Sequence, residues 1–273
     1  MNTAFPHSLI TRRTAQAGFT LVELMIAVLI GLFLVGGLLT LTSAMKRTGA
    51  VEGGLSQLHD NERVALSLMT ETIQSSGYFQ IPSPPPANAT AASMFSATGA
   101  FVVGQTIVGT DGGSGSAQTD TVSVRYASAG TSPGGDGTIN CIGGTSVAAA
   151  NWIAQFQVNG SGNLQCVLTT NGMAAPAVTV ATGVQYMSIL YGVQTNAAAG
   201  TYSVDTYLTA TQVTAGNYWP NVISVLVTLS FQNPMYCAAG TACLAGQQPA
   251  PLQPATISVS RAIALMNRTG VNT

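Results

Sequence analysis

From Leu24 to Met45 the chain runs for 22 residues without one charged side chain. Nothing else in it limits the possible folds as much. Wound as an α-helix, the run spans about 33 Å at 1.5 Å per residue, enough for a hydrocarbon core of about 30 Å. Composition alone reads it as a membrane span. Two details set it apart from an ordinary export signal. Such a signal is cut after its apolar region, at small residues, whereas the small residue here, Gly18, comes before it. Glu23 stands inside the apolar opening. A carboxylate at mid-bilayer costs roughly 2.5–3.5 kcal/mol on insertion scales, and less near an interface, so Glu23 is a functional candidate. The competing account is a plain anchor whose Glu23 snorkels to the interface. Basic residues do not orient the span: Arg12 and Arg13 precede it, Lys46 and Arg47 follow it, and the positive-inside rule is nearly silent.

Beyond the span, apolar residues recur at Val51, Leu55, Leu58, Ala65, Met69 and Ile73, with Glu62 in one expected slot. Spacings of three and four predict that the helix continues as an amphipathic one, exposing Gln57, Asp60, Asn61 and Glu71. Gly49, Gly53 and Gly54 each cost up to about 1 kcal/mol in a helix and mark a soft joint. Gly77 and then Pro82, Pro84, Pro85 and Pro86 end it, and IPSPPPANA reads as an extended spacer and domain boundary.

The remainder reads as β-rich. Residues 121–126 and 223–231 alternate cleanly, and Ile223, Val225, Val227, Leu229 and Phe231 share one face of a core-facing strand. Further strands are expected near 101–108, 152–158, 164–168, 177–180, 184–193, 202–208 and 256–266, with Arg261 on the apolar face of the last. Strands with few helical patterns between them imply an antiparallel sheet. DGGSGSAQTD, from Asp111 to Asp120, lacks the ligand spacing and terminal glutamate of an EF-hand and reads as a hairpin loop. Cys141, Cys166, Cys237 and Cys243 all lie beyond the span, which reads as two disulfides in an oxidising compartment. Three pairings are possible; Cys141–Cys166 and Cys237–Cys243 are favoured because each closes a local loop. A metal site lacks both CxxC spacing and a histidine beyond residue 59.

Charged residues make up only 6% of the chain, against roughly 25% in soluble domains. A surface solvated by hydroxyls, amides and backbone suits an extracytoplasmic or assembled protein. Phosphate binding needs clustered Lys and Arg, and no cluster follows Lys46-Arg47, so no nucleic-acid partner is expected. His59, the last histidine, has no nucleophile or carboxylate placed to make it catalytic. No enzyme activity, metal or cofactor is expected.

Gly18-Phe19-Thr20-Leu21-Val22-Glu23-Leu24 resembles the leader motif of type IV prepilins and type II secretion pseudopilins. The resemblance implies that prepilin peptidase cuts between Gly18 and Phe19 and methylates the new amine of Phe19, retaining the apolar helix. It also implies that the Glu23 carboxylate pairs with the Phe19 amine of a neighbouring subunit. Charge attraction at low dielectric is largely offset by desolvation, so such a pair sets register more than it adds stability. Downstream, NERVALSLMTETIQSSGYF (61–79), TDTVSVRYAS (119–128), the Cys141-Ile142-Gly143 and Leu164-Gln165-Cys166 pair, GVQYMSILYGV (183–193), VDTYLTA (204–210), WPNVISVLVTL (219–229) and RAIALMNR (261–268) resemble the PilW family of minor pilins. The proline-rich spacer and the Cys237–Cys243 segment depart from that pattern.

The expected fold class is α+β: a long N-terminal helix, transmembrane in its first half, packed on an antiparallel sheet domain. The expected parts are a cleaved leader (1–18), a transmembrane and filament-core helix (19–45), its amphipathic continuation (46–79), a Pro-rich linker (80–92) and a β-rich extracytoplasmic domain (93–273). The resemblance implies a single-pass inner-membrane protein with a periplasmic C-terminal domain that also enters the pilus. It implies a minor pilin of an initiating or tip complex, with other minor pilins, major pilin, prepilin peptidase and a tip adhesin as partners. Alternatives are a minor pseudopilin of type II secretion and an adhesin or DNA-uptake pilin.

Overall fold

A computed structural model describes residues 18–80, 94–112, 119–131, 135–196, 203–241, 243, 247–249 and 252–267. The expected leader, apart from Gly18, lies outside them. So do nearly all of the Pro-rich linker and the middle of the Asp111–Asp120 loop. The chain divides into two units, Met1–Gly49 and Ala50–Thr273.

Helix α1 runs over Leu21–Gln74. In the first unit its large apolar side chains are exposed, from 82% at Phe33 down to 53% at Ile30. In water that surface would be strongly unfavourable, at about 25 cal/mol per Å²; a bilayer or neighbouring helices would remove the penalty. In the second unit α1 becomes one-sided. Val51, Leu58, Ala65, Leu66, Met69, Thr72 and Ile73 are buried. Gln57, Asp60 and Glu71 face solvent as expected. Asn61 does not: it is half-buried and its Nδ2 donates to the Thr182 carbonyl (3.2 Å) and hydroxyl (3.1 Å). The helix ends before Gly77, whose φ of 77° lies in the left-handed region that only glycine occupies cheaply. The Gly77 N–H donates to the Arg125 carbonyl at 2.8 Å, tying the helix end to the sheet.

The expected soft joint needs correcting at one glycine. α1 remains helical across Gly49, Gly53 and Gly54. A Cβ on Gly49 or Gly53 would meet nothing, but one on Gly54 would lie 3.0 Å from Cβ of Pro234. Gly54 is a point of close packing.

Two antiparallel sheets follow. The first joins β1 (Ile107–Thr110), β2 (Thr121–Ser128), β3 (Ala150–Val158), β4 (Asn163–Thr170) and β5 (Met173–Ala174) in that order, with β6 (Val178–Thr182) also on β4. The second has the order β10-β9-β7-β8, from β7 (Val184–Val193), β8 (Thr206–Leu208), β9 (Val222–Gln232) and β10 (Thr256–Ala264). This is the α+β arrangement expected. One apolar core holds Leu58, Ala65, Met69 and Ile73 of α1 with Trp152, Phe156, Leu164, Met187, Tyr191, Val225 and Phe231 of both sheets. Edge-to-face aromatic pairs sit within it, Tyr126 with Trp152 at 5.6 Å and Tyr191 with Trp219 at 4.9 Å. The expected inward face of β9 is buried throughout, at Ile223, Val225, Val227, Leu229 and Phe231.

Four local features depart from the sequence pattern. Residues 101–106 form no strand, because that segment wraps the Arg125 guanidinium (below). β2 alternates in sequence yet both its faces are covered: Val122, Val124 and Tyr126 are buried on one, Ser123 and Arg125 on the other. On β10, Ile263 is buried but Arg261 is exposed. Between β8 and β9 a short helix α2 (Ala210–Ala215) starts on a capping box, with the Thr209 hydroxyl accepting from the Gln212 N–H while the Gln212 side chain accepts from the Thr209 N–H.

Candidate functional site

The residues singled out at the N-terminus stand together at the start of α1, all exposed. Gly18 and Phe19 precede the first turn. Thr20 is the N-cap: its hydroxyl accepts the Glu23 N–H at 3.3 Å, and its carbonyl accepts the N–H groups of Glu23 (3.1 Å) and Leu24 (3.2 Å). Glu23 is therefore the third helical residue, where the unpaired N–H groups and the helix dipole favour a negative charge. Sequence reasoning had missed this. The signal was present, since Thr20-x-x-Glu23 has capping-box spacing. Glu23 thus has a local reason to be acidic, and its carboxylate still has no counter-charge: among the described residues the one ion pair joins His59 and Glu62, 3.6 Å apart.

The cysteines pair as favoured, Cys141 with Cys166 and Cys237 with Cys243. The first bridge ties the 138–149 segment to β4 through a buried half-cystine at Cys166. The second closes a five-residue loop beyond β9, where Asn233 organises the turn by accepting the Met235 N–H at 2.9 Å.

Arg125 was not anticipated beyond its place in a strand. It is 97% buried, as 3% exposure requires, and its guanidinium lies between the rings of Phe95 and Phe101, 5.1 and 5.0 Å from their centroids. It donates to the carbonyls of Gln105, Ser96 (2.6 Å) and Val102 (2.7 Å), and more weakly to Phe95 (3.4 Å). Burial pushes it down to about 10, so it stays charged at neutral pH. Carbonyl dipoles and ring faces take the place of water around a cation. That cage holds 95–105 as a folded loop, which an alternating-strand reading had no means to see.

The acidic side chains of the β-domain serve as turn anchors. Asp120, at the hairpin start of β2, accepts the N–H groups of Gly112 (2.8 Å) and Ile189 (2.7 Å), linking the two sheets. Asp111 accepts those of Ala210 (2.8 Å) and Thr211 (2.9 Å) at the start of α2. Burial alone would raise the Asp111 carboxyl, but hydrogen bonds from Thr211, Thr209 and Ala210 outweigh it and hold it below the ordinary carboxylate range. Asp136 behaves alike: burial raises it, and bonds from Thr138, Ala129 and Ser128 bring it below. Such groups are tuned away from the near-neutral values a general base needs. Among the described residues no three His, Cys, Asp or Glu side chains gather as a metal site.

An apolar N-terminal helix with a processing-type motif, running into a helix-backed antiparallel domain stapled by two disulfides, is the make-up of a type IV pilin-like protein. Family models agree. The model of the prokaryotic N-terminal methylation motif matches residues 13–39, and that of PilW, type IV pilus-assembly protein W, matches residues 152–267. The second match spans β3 to the end of β10 and so covers most of both sheets. Together they support a minor pilin associated with the type IV pilus, of a kind that is structural rather than catalytic. No curated protein and no solved structure matches the chain.

Proposed function

We propose that this minor pilin belongs to the complex that initiates pilus polymerisation and sits at the pilus tip. In this reading residues 1–18 are a leader removed by prepilin peptidase, and Phe19 becomes the methylated N-terminus. Residues 19–45 hold the subunit in the inner membrane, with the β-domain in the periplasm, and later become filament core. Residues 46–79 carry the amphipathic continuation, 80–92 a linker, and 93–273 the domain that selects partners. Glu23 pairs with the Phe19 amine of a neighbouring subunit and sets its register. The partners are other minor pilins, the major pilin and a tip adhesin, and the chain performs no catalysis.

One observation carries this: side chains from Phe19 to Met45 remain 53–82% exposed where they are large and apolar, although the same helix is packed further on. Helix surface of that kind is stable only in lipid or against other helices. The two disulfides agree with an oxidising compartment. Deleting the gene should abolish or sharply reduce surface filaments, and the wild-type chain should co-purify with other minor pilins. Unchanged filament number would remove the initiating role. Mass spectrometry should find methylated Phe19 as the first residue; retention of residues 1–18 would contradict the processing step. Glu23→Ala should leave the chain inserted in the membrane but poorly incorporated into filaments.

A further inference from the structure

We infer that the groove between the second half of α1 and strand β10 receives a carboxylate-bearing surface of a neighbouring pilus subunit. The inference rests on the pilus reading above and assigns a partner-facing surface that neither family match specifies. The groove has a volume of about 480 Å³. Leu66 forms its floor, His59, Glu62 and Arg63 line it from α1, and Ser260 and Arg261 line it from β10.

Scarcity of charge makes this groove unusual. The chain has eight Lys and Arg in all, and beyond Arg47 they are Arg63, Arg125, Arg261 and Arg268. Arg125 is buried in its carbonyl cage, and Arg268 lies outside the described residues. Both of the others are exposed, and both open on this one groove. Neither has a carboxylate within ion-pair reach among the described residues, where the one such contact joins His59 and Glu62 at 3.6 Å. Arg261 makes one hydrogen bond there, from Nη1 to the Thr70 hydroxyl at 3.4 Å, out of the five donors a guanidinium offers.

Two guanidinium groups against one carboxylate leave the groove positive. Their planar donor forks match carboxylates in bidentate fashion. A nucleic-acid backbone would call for a longer run of cations than two. β10 is an edge strand of its sheet, so the groove lies at a margin open to an adjacent molecule. Charge pairs at such an exposed rim add little affinity, but they fix register and exclude wrong partners. That is what a subunit needs if it is to occupy one place in an ordered assembly.

The test uses the full chain in a host that makes pili. Arg63→Lys and Arg261→Lys keep the charge and introduce an amine that a zero-length carbodiimide couples to any carboxylate in contact. Tandem mass spectrometry of isolated pili should find position 63 or 261 joined to an Asp or Glu of another pilus protein. The double reversal Arg63→Glu with Arg261→Glu should lower co-isolation with pilus subunits by roughly fourfold or more, the scale of two exposed ion pairs. Protease resistance of the β-domain checks that the reversed variant is folded; should it fail that check, the lysine variants decide alone. Coupling solely to this chain's own Glu62, coupling solely to a second copy of the chain, or no coupling would overturn the groove assignment. Undiminished recovery of a folded reversed variant would do the same, and the pilus reading would survive either result. If the wild-type chain itself never co-isolates with pilus subunits, the pilus reading fails first and the groove assignment falls with it.

Discussion

The two halves of α1 form one helix yet answer to different surroundings. From Leu21 to Gly49 the apolar residues go all the way round and stay exposed, and the stretch from Leu24 to Met45 carries no charge. From Leu58 to Ile73 most of them narrow to a stripe that is buried against the sheets, while polar residues, Val64 apart, take the rest of the circumference. A helix apolar on every side needs lipid or other helices around it; one with a single apolar stripe needs only one packed partner. The contrast teaches where stability comes from. The second half derives it from its own domain, whereas the exposed apolar surface of the first half calls for lipid or other helices.

That contrast can be broken most forcefully in the core. Met69→Ala removes a side chain with no exposure, and the lost burial and the cavity together should cost about 2–5 kcal/mol. Leu29→Ala, at 72% exposure, should leave the thermal unfolding of the β-domain in detergent unchanged. Equal losses would mean that the halves are not energetically distinct. Next in size, Leu34→Arg should impair membrane insertion by roughly 2.5–3.5 kcal/mol, measured in a translocation assay, while Val64→Arg, half exposed on the second half, should insert normally.

The disulfides sharpen the same division, since both lie beyond α1. Replacing Cys141 and Cys166, 25 positions apart, should destabilise the β-domain by about 3.5 kcal/mol on the loop-entropy view. For Cys237 and Cys243, separated by six, about 2 kcal/mol is expected. Denaturant unfolding of the purified variants reads both, and membrane association should not change. The smallest effect concerns the glycines. Gly53→Ala, with open space around its Cβ, should stabilise the helix by about 0.5–1 kcal/mol. Gly54→Ala should lose that gain or reverse it, because Pro234 stands 3.0 Å away. Equal gains at both positions would show that Pro234 yields freely.

Much of this architecture was written into local pattern. The alternation of 223–231 predicted β9 and its buried face, and the three-and-four spacing from Val51 to Ile73 predicted the stripe. Short cysteine separations favoured the pairing that forms. What escaped was non-local or overshadowed. Residues 101–106 looked strand-like because their apolar content was visible and the distant Arg125 that draws in their carbonyls was not. Thr209 and Gln212 carried a cap signal for α2, but the strand expected over 202–208 ran right up to them and drew attention away from it. At the candidate site, Gly18, Phe19 and Glu23 were legible as a motif, and Thr20 as the cap was legible but passed over.

By itself the sequence determined that the chain has an uncharged helical run of membrane-spanning length, a glycine and an acid placed at its opening, an amphipathic continuation and a set of alternating strands. Each follows from residue type and spacing within a few turns or one strand, where local geometry dictates which side chains share a face. Only the tertiary structure decided that Arg125 is caged, that Gly54 meets Pro234, that Asp120 joins the sheets, and that Arg63 and Arg261 border one groove. Those pairs are brought together by chain reversals many residues apart, and no local periodicity encodes the distance between them.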